Sequence, residues 1–275
     1  MSGTEEASRP RFAFGENWGD YVADVDDDRV LRAERSLVEM LGATTVEGTS
    51  FLDVGCGSGL FSLAAARLGA ARIHSFDFDP SSVAATRTLQ RRYPVTAEWT
   101  VEQGDATDAN YCASLGTFDV VYAWGVLHHT GAMWQALENI IARVTPGGSL
   151  FIAIYNDQGR KSRRWRAVKR TYNRLPRRVR PVYALVVTLP LELRTLASAA
   201  IRGRPGPYLS EWIKGRERGM SRWHDLLDWV GGYPFEVAKP EDVFRFCRSR
   251  GLELVELSTA GGGLGNNQFV FRRPA

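Results

Sequence analysis

The residues Phe51-Leu52-Asp53-Val54-Gly55-Cys56-Gly57-Ser58-Gly59 decide the fold, because a short apolar run breaks there into three alternating glycines. A buried strand that enters a glycine turn, with a helix after it, brings backbone N–H groups close to a bound nucleotide. A second apolar run, 73–76, ends in Asp77 about 20 residues past the glycines, where a ribose-binding carboxylate is expected. A third run, 118–123, ends at a loop rich in Trp, Gly and His. The sequence therefore predicts a nucleotide-type cofactor where three strand ends meet.

The spacing of the glycines argues against a dinucleotide such as NAD. A dinucleotide-binding turn reads Gly-x-Gly-x-x-Gly, and here the third glycine comes one residue early. Asp53, two residues before the turn, is also polar at a position where a parallel strand is usually apolar. A different nucleoside cofactor is therefore expected.

The pattern resembles that of the class I S-adenosylmethionine (SAM) methyltransferases. Their first motif, acidic-x-Gly-x-Gly-x-Gly, is met in full by residues 53–59. The likeness continues in the same chain order through four further motifs, which are Asp77, Gly104-Asp105-Ala106, Asp119-Val120-Val121 and Pro146-Gly147-Gly148.

This resemblance implies SAM as the cofactor and assigns roles to individual residues. It implies that Asp77 accepts hydrogen bonds from the ribose hydroxyls and Asp105 from the adenine amino group, with Phe78 stacked on the adenine. Asn17 and Trp18 are expected to cover the site from the N-terminal side. The full set of predicted cofactor contacts is Asp53, Gly55, Gly57, Gly59, Asp77, Phe78, Asp105, Ala106, Trp124, Gly125, Asn17 and Trp18.

Three histidines are candidates for a general base. SAM carries an activated sulfonium, so the protein mainly has to align the reactants and exclude water, and a base helps when the acceptor is a hydroxyl. His128 and His129 lie on the loop after the fourth strand, which this fold places beside the transferred methyl group. His224 follows Trp223 further along the chain and is the third candidate. The cysteines show no ligand spacing, so no metal is expected.

Alternating apolar runs and helical patterns predict an α/β fold. The expected architecture is a seven-stranded, mostly parallel, doubly wound sheet with an antiparallel C-terminal hairpin at one edge. We expect Asp28 to cap an N-terminal helix that ends at Gly42. The predicted strands are 51–54, 72–76, 98–102, 118–123, 149–155, 252–258 and 268–272, and the predicted helices of the core are 59–68, 80–91, 131–143 and 240–250.

The chain is expected to divide into a tail with a cap helix (1–45), a SAM-binding core (46–155 and 238–275) and a helical insertion (156–237). The insertion is interpreted as a substrate lid. Its residues 160–180 are rich in Arg and Lys, so a peripheral membrane or anionic contact stays open, as does a homodimer. No apolar stretch reaches the ~18–20 residues that span a bilayer, and the acidic, polar N-terminus does not resemble a secretory signal, so a cytoplasmic location is expected.

Three further segments, 14–18, 124–131 and 228–234, resemble a bacterial subgroup often grouped with ubiquinone-pathway O-methyltransferases. This likeness implies methyl transfer to a small or lipid-like acceptor, with a hydroxyl oxygen as the first expectation. One alternative is RNA methylation through the basic insertion, and another is a SAM-binding protein without catalysis. Nucleic acid is not the expected partner, because the Asn/Asp-Pro-Pro-Tyr/Phe signature of base N-methylation is missing.

Overall fold

The fold is described from a computed structural model, which covers residues 12, 15–42, 46–203, 206 and 222–275. One mixed sheet of seven strands forms its centre, in the order β3-β2-β1-β4-β5-β7-β6. The first five strands run parallel, whereas β7 pairs antiparallel with both β5 and β6. The strands are β1 Ser50–Val54, β2 Arg72–Asp77, β3 Glu98–Gln103, β4 Phe118–Trp124, β5 Val144–Tyr155, β6 Glu253–Ser258 and β7 Asn266–Arg272.

Helices connect the parallel strands, as a parallel sheet requires. A single 3₁₀ turn, Leu127–His129, follows β4. The described helices are α1 Gly15–Ala23, α2 Asp27–Leu41, α3 Leu60–Arg67, α4 Pro80–Arg92, α5 Ala109–Ser114, α6 Met133–Ile141, α7 Arg160–Arg174, α8 Arg180–Ile201, α9 Arg222–Gly231 and α10 Pro240–Arg248.

The two faces of the sheet are buried by two separate apolar clusters. Along β1, Phe51 belongs to one cluster and Leu52 to the other, because successive strand side chains point to opposite faces. The strand order reverses between β1 and β4, and ligands of doubly wound sheets bind in the crevice at such a switch point. The predicted fold class is confirmed, including the antiparallel C-terminal edge.

The N-terminal helices differ from the prediction. Gly15–Ala23, part of the segment predicted as a tail with one cap helix, form a helix of their own, α1. The cap of α2 is Asp26 and not Asp28, because the extended backbone of Asp26 lets its carboxylate accept the N–H of Arg29 at 2.9 Å. The helix does end at Gly42, whose φ of 65° is left-handed.

Three larger differences from the prediction lie in the core. The short helix α5 was missed, since it is only six residues long and is started by the Asp108 carboxylate. Helix α6 is shorter than 131–143, because Gly131 has a left-handed φ of 82°. Strand β5 begins at Val144, where the chain already pairs with Phe118, five residues before the predicted start at 149.

The described chain falls into two compact units. The larger one comprises Phe14–Ser162 and Glu236–Ala275 and holds the whole sheet. The smaller one comprises Met1–Ala13 and Arg163–Phe235, so among the described residues it contains α8, α9 and most of α7. Its core is formed by Tyr172, Ala184 and Val230. The predicted insertion 156–237 overlaps this smaller unit, and its role as a lid stays a prediction.

Helix α8 departs from the expectation that no segment matches a membrane span. Among the described residues, this helix of 22 residues is long and apolar enough to cross a bilayer, with a mean hydropathy of 1.5 and 11% of its apolar window buried. The match of α8 to a membrane span rests on its length and composition only. The sequence did not predict α8 as a candidate span because Pro190, Glu192 and Arg194 interrupt its apolar run.

Candidate cofactor and active site

The glycine loop after β1 is compact because its neighbours pack directly on it. Gly55, Gly57 and Gly59 all have a left-handed φ, of 70°, 54° and 80°. A Cβ on Gly55 would collide with the side chain of Val126, and a Cβ on Gly59 would lie 2.7 Å from Thr86 Cγ2. Residues with side chains would therefore be both strained and obstructed at these two positions.

Asp77 ties the end of β2 to this loop. Its carboxylate accepts the N–H of Gly57 at 3.0 Å through one oxygen and the N–H of Asp79 at 2.9 Å through the other. Burial raises the pKa of Asp77 to about 6. Because a carboxylate offers about four lone-pair positions, it can still accept hydrogen bonds from a bound diol. The predicted ribose-binding residue thus lies at hydrogen-bonding distance from the glycine loop.

Asp53 lies in β1, two residues before the glycine loop, and is buried. Its carboxylate accepts the hydroxyl of Ser62 at 2.5 Å, and Ser62 Oγ lies 2.7 Å from Ser75 Oγ. Trp99 Nε1 donates to Ser75 at 2.8 Å, and because an indole can only donate, the chain of hydrogen bonds runs from Trp99 to Asp53. Burial raises the pKa of Asp53 to about 7. These hydrogen bonds join Asp53, near the end of β1, to residues of α3, β2 and β3.

The predicted adenine side is formed by the ends of β2 and β3. Phe78 is 50% exposed, so its ring is accessible to a planar ligand. Asp105 Oδ1 closes a turn by accepting the N–H of Thr107 at 2.8 Å and its hydroxyl at 2.7 Å. Ala106 is buried, and its carbonyl accepts from Asn139 Nδ2 at 2.9 Å. Asp105 and Ala106 lie on the turn that follows β3, whereas Phe78 directly follows β2.

Helix α1 covers the glycine loop. A Cβ on Gly57 would lie 3.1 Å from Trp18 Cε2, so the indole ring lies against this glycine. The N–H of Gly15 donates to Asp79 Oδ2 at 2.9 Å and attaches the start of α1 to the end of β2. Asn17 lies in the same helix, but its side chain is outside the described part of the structure.

The loop after β4 carries the histidine pair in two different environments. His128 is fully buried, and its Nδ1 accepts the N–H of Tyr155 at 3.3 Å while its carbonyl accepts the N–H of Glu236 at 2.9 Å. His129 is half-buried, with its ring edge-on to Tyr155 at a centroid distance of 5.5 Å. The two imidazole centroids are 4.5 Å apart.

The start of the same loop holds the remaining predicted contacts. Trp124 Nε1 donates to Gln268 Oε1 at 2.9 Å, which fixes the indole towards β7. Gly125 has a left-handed φ of 77°, and a Cβ built on it would meet nothing within 4 Å. There is thus open space beside Gly125.

His224, the third predicted base, belongs to α9 in the smaller unit. Its side chain is outside the described residues, so its assignment stays a prediction.

Sequence reasoning missed the residues that hold the loops in place. Thr86 Oγ1 donates to the carbonyl of Gly57 at 3.0 Å, and Val126 packs on Gly55. Tyr155 contacts both histidines, with its ring centroid 3.9 Å from that of His128. A threonine in a helix and a valine in a loop carry no motif. Tyr155 could have been suspected from its position at the end of the fifth strand.

Comparison with known proteins agrees with this geometry. Residues 52–150 match the family model described as "Methyltransferase domain". This part of the core is therefore similar to a methyltransferase domain. The matched segment contains the glycine loop, Asp77 and both histidines after β4.

The curated relatives match less than half of this chain. The ribosomal protein L11 methyltransferase of Methylococcus capsulatus is 34% identical over 116 residues, which is 42% of this chain and 36% of that protein. The same-named protein of Dechloromonas aromatica is 37% identical over 119 residues, or 43% of this chain and 36% of the other. The chain thus spans just over a third of the length of these relatives.

Solved structures share the fold at low sequence identity. The magnesium protoporphyrin IX methyltransferase of Synechocystis PCC 6803, with SAH bound, has a TM-score of 0.54 and 13% identity, covering 94% of this chain and 93% of its own. The [4+2]-cyclase SpnF has a TM-score of 0.51 and 15% identity, covering 89% and 80%. Since a methyltransferase and a cyclase both share this fold, the fold alone does not specify a reaction.

Proposed function

We propose that this protein is a SAM-dependent methyltransferase. The observation that carries the proposal is the hydrogen bond between the Asp77 carboxylate and the N–H of Gly57, at the switch point of the sheet and inside the matched domain. It places an acidic acceptor next to a glycine loop whose backbone approaches the crevice closely. This combination suits a nucleoside ligand, because the Asp77 carboxylate can accept from ribose hydroxyls and the N–H of Gly57, already donated to Asp77, is not available to a phosphate.

The residues of the site fit a nucleoside cofactor of this kind. Asp77 would accept from the ribose hydroxyls, and the exposed ring of Phe78 would lie against the base. The open space beside Gly125 leaves room for the amino-acid part. When bound, SAM supplies an activated methyl group for an in-line displacement. Trp18 over the glycine loop would help to exclude water from the site.

His129 suits the role of general base better than His128. A base needs access to the proton that it removes, and His129 is half-buried whereas His128 is fully buried. The Nδ1 of His128 already accepts the N–H of Tyr155, which leaves the proton of a neutral ring on Nε2. We therefore propose that His128 positions the loop and that His129 takes the proton of the acceptor.

The acceptor that we propose is a small molecule methylated on a hydroxyl oxygen. A half-buried imidazole suits a hydroxyl proton, and the likeness of segments 14–18, 124–131 and 228–234 to quinone-pathway O-methyltransferases points the same way. The L11 relatives favour a protein acceptor as the second candidate, but they match only 42% of this chain. The proposed location is the cytoplasm.

The test is transfer of a labelled methyl group from SAM to separated metabolite, lipid, protein and RNA fractions. Label in the metabolite or lipid fraction, lost in the Asp77→Asn variant, supports the proposal. Label in protein or RNA instead would keep the methyltransferase and replace its acceptor. For RNA, binding should also fall by decades between about 50 and 200 mM salt. SAM binding without label in any fraction would favour a protein that binds SAM without transferring methyl.

A further inference from the structure

Helix α8 presents a continuous row of large apolar side chains to solvent. We call this row, formed by five residues, the α8 stripe. The spacing of its members places them within an arc of about 100° on the helix surface. They are Val182, Leu185, Val186, Leu189 and Leu193, which are 60%, 50%, 65%, 45% and 56% exposed.

The opposite side of α8 is packed within the smaller unit. Ala184 and Thr188 are buried, and the hydroxyl of Tyr183 donates to the carbonyl of Val168 at 3.3 Å. The helix is therefore apolar on both sides, and only one side is used for packing. An amphipathic helix of a soluble domain usually carries polar residues on its outer face, so an exposed apolar row of this size indicates an interaction surface.

The chain next to the α8 stripe is strongly basic. No acidic residue occurs between Asp157 and Glu192. Within residues 160–178, Lys169 is buried, and its Nζ donates to the carbonyl of Trp229. The exposed basic residues are Arg160, Lys161, Arg163, Arg164, Arg166, Arg170, Arg174, Arg177 and Arg178.

We propose that the α8 stripe docks on the surface of an anionic phospholipid bilayer. The apolar side chains would enter the interface, and the basic residues of 163–178, which belong to the same unit, would lie at the negatively charged headgroups. A second copy of this chain fits less well, because it would bring two basic segments of the same sign together. The proposal does not depend on the methyl transfer proposed above.

The contacts of α8 favour an orientation along the bilayer over one across it. A spanning helix would be surrounded by lipid, whereas Ala184 and Thr188 are buried within the smaller unit. Pro190, Glu192 and Arg194 also lie near the middle of the helix. In a spanning helix this part would lie near the centre of the bilayer, where charged side chains are poorly tolerated.

Co-sedimentation of the full chain with vesicles tests the proposal. We expect binding to vesicles of phosphatidylcholine with phosphatidylglycerol, weaker binding to phosphatidylcholine alone, and weakening by high salt. The triple variant Leu185→Glu, Val186→Glu, Leu189→Glu should bind at least about 10-fold less, since each change removes apolar area and adds a repelled charge. The double variant Arg177→Gln, Arg178→Gln should lose roughly 10-fold on anionic vesicles only.

Val255→Glu is the matched control. Val255 is 51% exposed, but it lies on β6 in the larger unit, so the same change should leave vesicle binding unaltered. Circular dichroism and SAM binding of all variants confirm that they fold.

Three results would overturn the proposal. The first is a wild-type protein that does not bind anionic vesicles, or a triple variant that binds as the wild type does. The second is a wild-type dimer in light scattering together with a monomeric triple variant. In that case a second copy of the chain would cover the α8 stripe. The third is protein that resists alkaline carbonate extraction from membranes, which would make α8 a spanning helix.

Discussion

At the scale of single residues, Asp77 carries the most direct test of the cofactor site. Hydrogen bonds to a charged group contribute about 1.5–3 kcal/mol, so Asp77→Asn should weaken SAM binding roughly 10- to 100-fold. The pKa of Asp77 is raised to about 6, so wild-type affinity should also fall as the pH drops below about 6, when the carboxylate is protonated. Calorimetry at several pH values measures both effects.

The control for this prediction is Asp119→Asn. Asp119 accepts from the backbone and hydroxyl of Ser50, at the start of β1 and therefore at the opposite end of the strand from the site. Its loss should leave SAM affinity within a few-fold. Unchanged affinity in a folded Asp77→Asn protein would remove Asp77 from the site.

Asp53 predicts a pH dependence of stability with a definite sign. Its pKa is about 7 in the folded protein and about 3.9 in an unfolded chain, so the folded state binds more protons between these values. The contribution of Asp53 to the free energy of unfolding is therefore fully present below pH ~4 and decreases as the pH rises to ~7, by on the order of 4 kcal/mol.

Urea denaturation of the wild type and of Asp53→Asn between pH ~4 and ~8 measures this contribution. Asn cannot titrate but can still accept from Ser62. The wild type should lose stability relative to the variant as the pH rises. A difference that does not change with pH would mean that Asp53 is ionised throughout.

The histidine pair predicts two different phenotypes. His129→Gln should lower turnover by about 10²–10⁴ with SAM affinity intact, and it should remove an apparent pKa from the pH–rate profile. His128→Gln should mainly lower stability, since the His128 ring is buried against Tyr155. Stopped assays with the identified acceptor measure turnover. If both variants keep turnover within a few-fold, alignment alone would account for catalysis, or His224 would be the base.

At the scale of elements, one carboxylate attaches two helices. Asp79 caps α4 by accepting the N–H of Ser81 at 2.8 Å, and its other oxygen accepts the N–H of Gly15 in α1 at 2.9 Å. Because a lost helix cap costs about 1 kcal/mol, Asp79→Ala should lower the free energy of unfolding by about 2 kcal/mol. The control Asp26→Ala removes the cap of α2 alone and should cost about half as much.

Urea denaturation compares these two variants. Asp79→Ala should also weaken SAM binding, because Trp18 reaches the glycine loop from α1. Equal losses of stability in the two variants would show that the bond to Gly15 contributes nothing.

At the scale of the whole molecule, the two compact units predict separable losses. Tyr172 is buried in the smaller unit, where its ring lies 6.2 Å from that of Phe12 and 6.4 Å from that of Tyr183. Tyr172→Ala should destabilise this unit by about 3–5 kcal/mol, the cost of a large cavity. If the unit serves as the substrate lid, turnover should disappear while SAM affinity stays within a few-fold.

The control for this prediction is Phe151→Ala. Phe151 is fully buried in the central sheet, so its loss should reduce SAM binding and turnover together. A fall in SAM affinity in Tyr172→Ala as well would show that the smaller unit belongs to the cofactor site.

The sequence by itself determined where the seven strands and, apart from α5, the helices of the core occur along the chain. It also determined the position of the glycine loop. These features follow from local rules. A buried strand needs an apolar run, positions 55, 57 and 59 need φ values that favour glycine, and a parallel strand needs a crossover helix. The helix α1 and the cap at Asp26 escaped prediction, because several neighbouring residues compete for such positions at similar cost.

Only the tertiary structure decided what each of these residues does. The burial of Asp53 depends on Ser62, Ser75 and Trp99, which come from three other elements of the chain. The difference between His128 and His129 depends on Tyr155, and the exposure of the α8 stripe depends on which side of the helix packs. Contacts between residues far apart in the chain determine burial, and a periodic pattern cannot specify them. The sequence therefore located the glycine loop, while the three-dimensional packing determined the burial and the contacts of the residues around it.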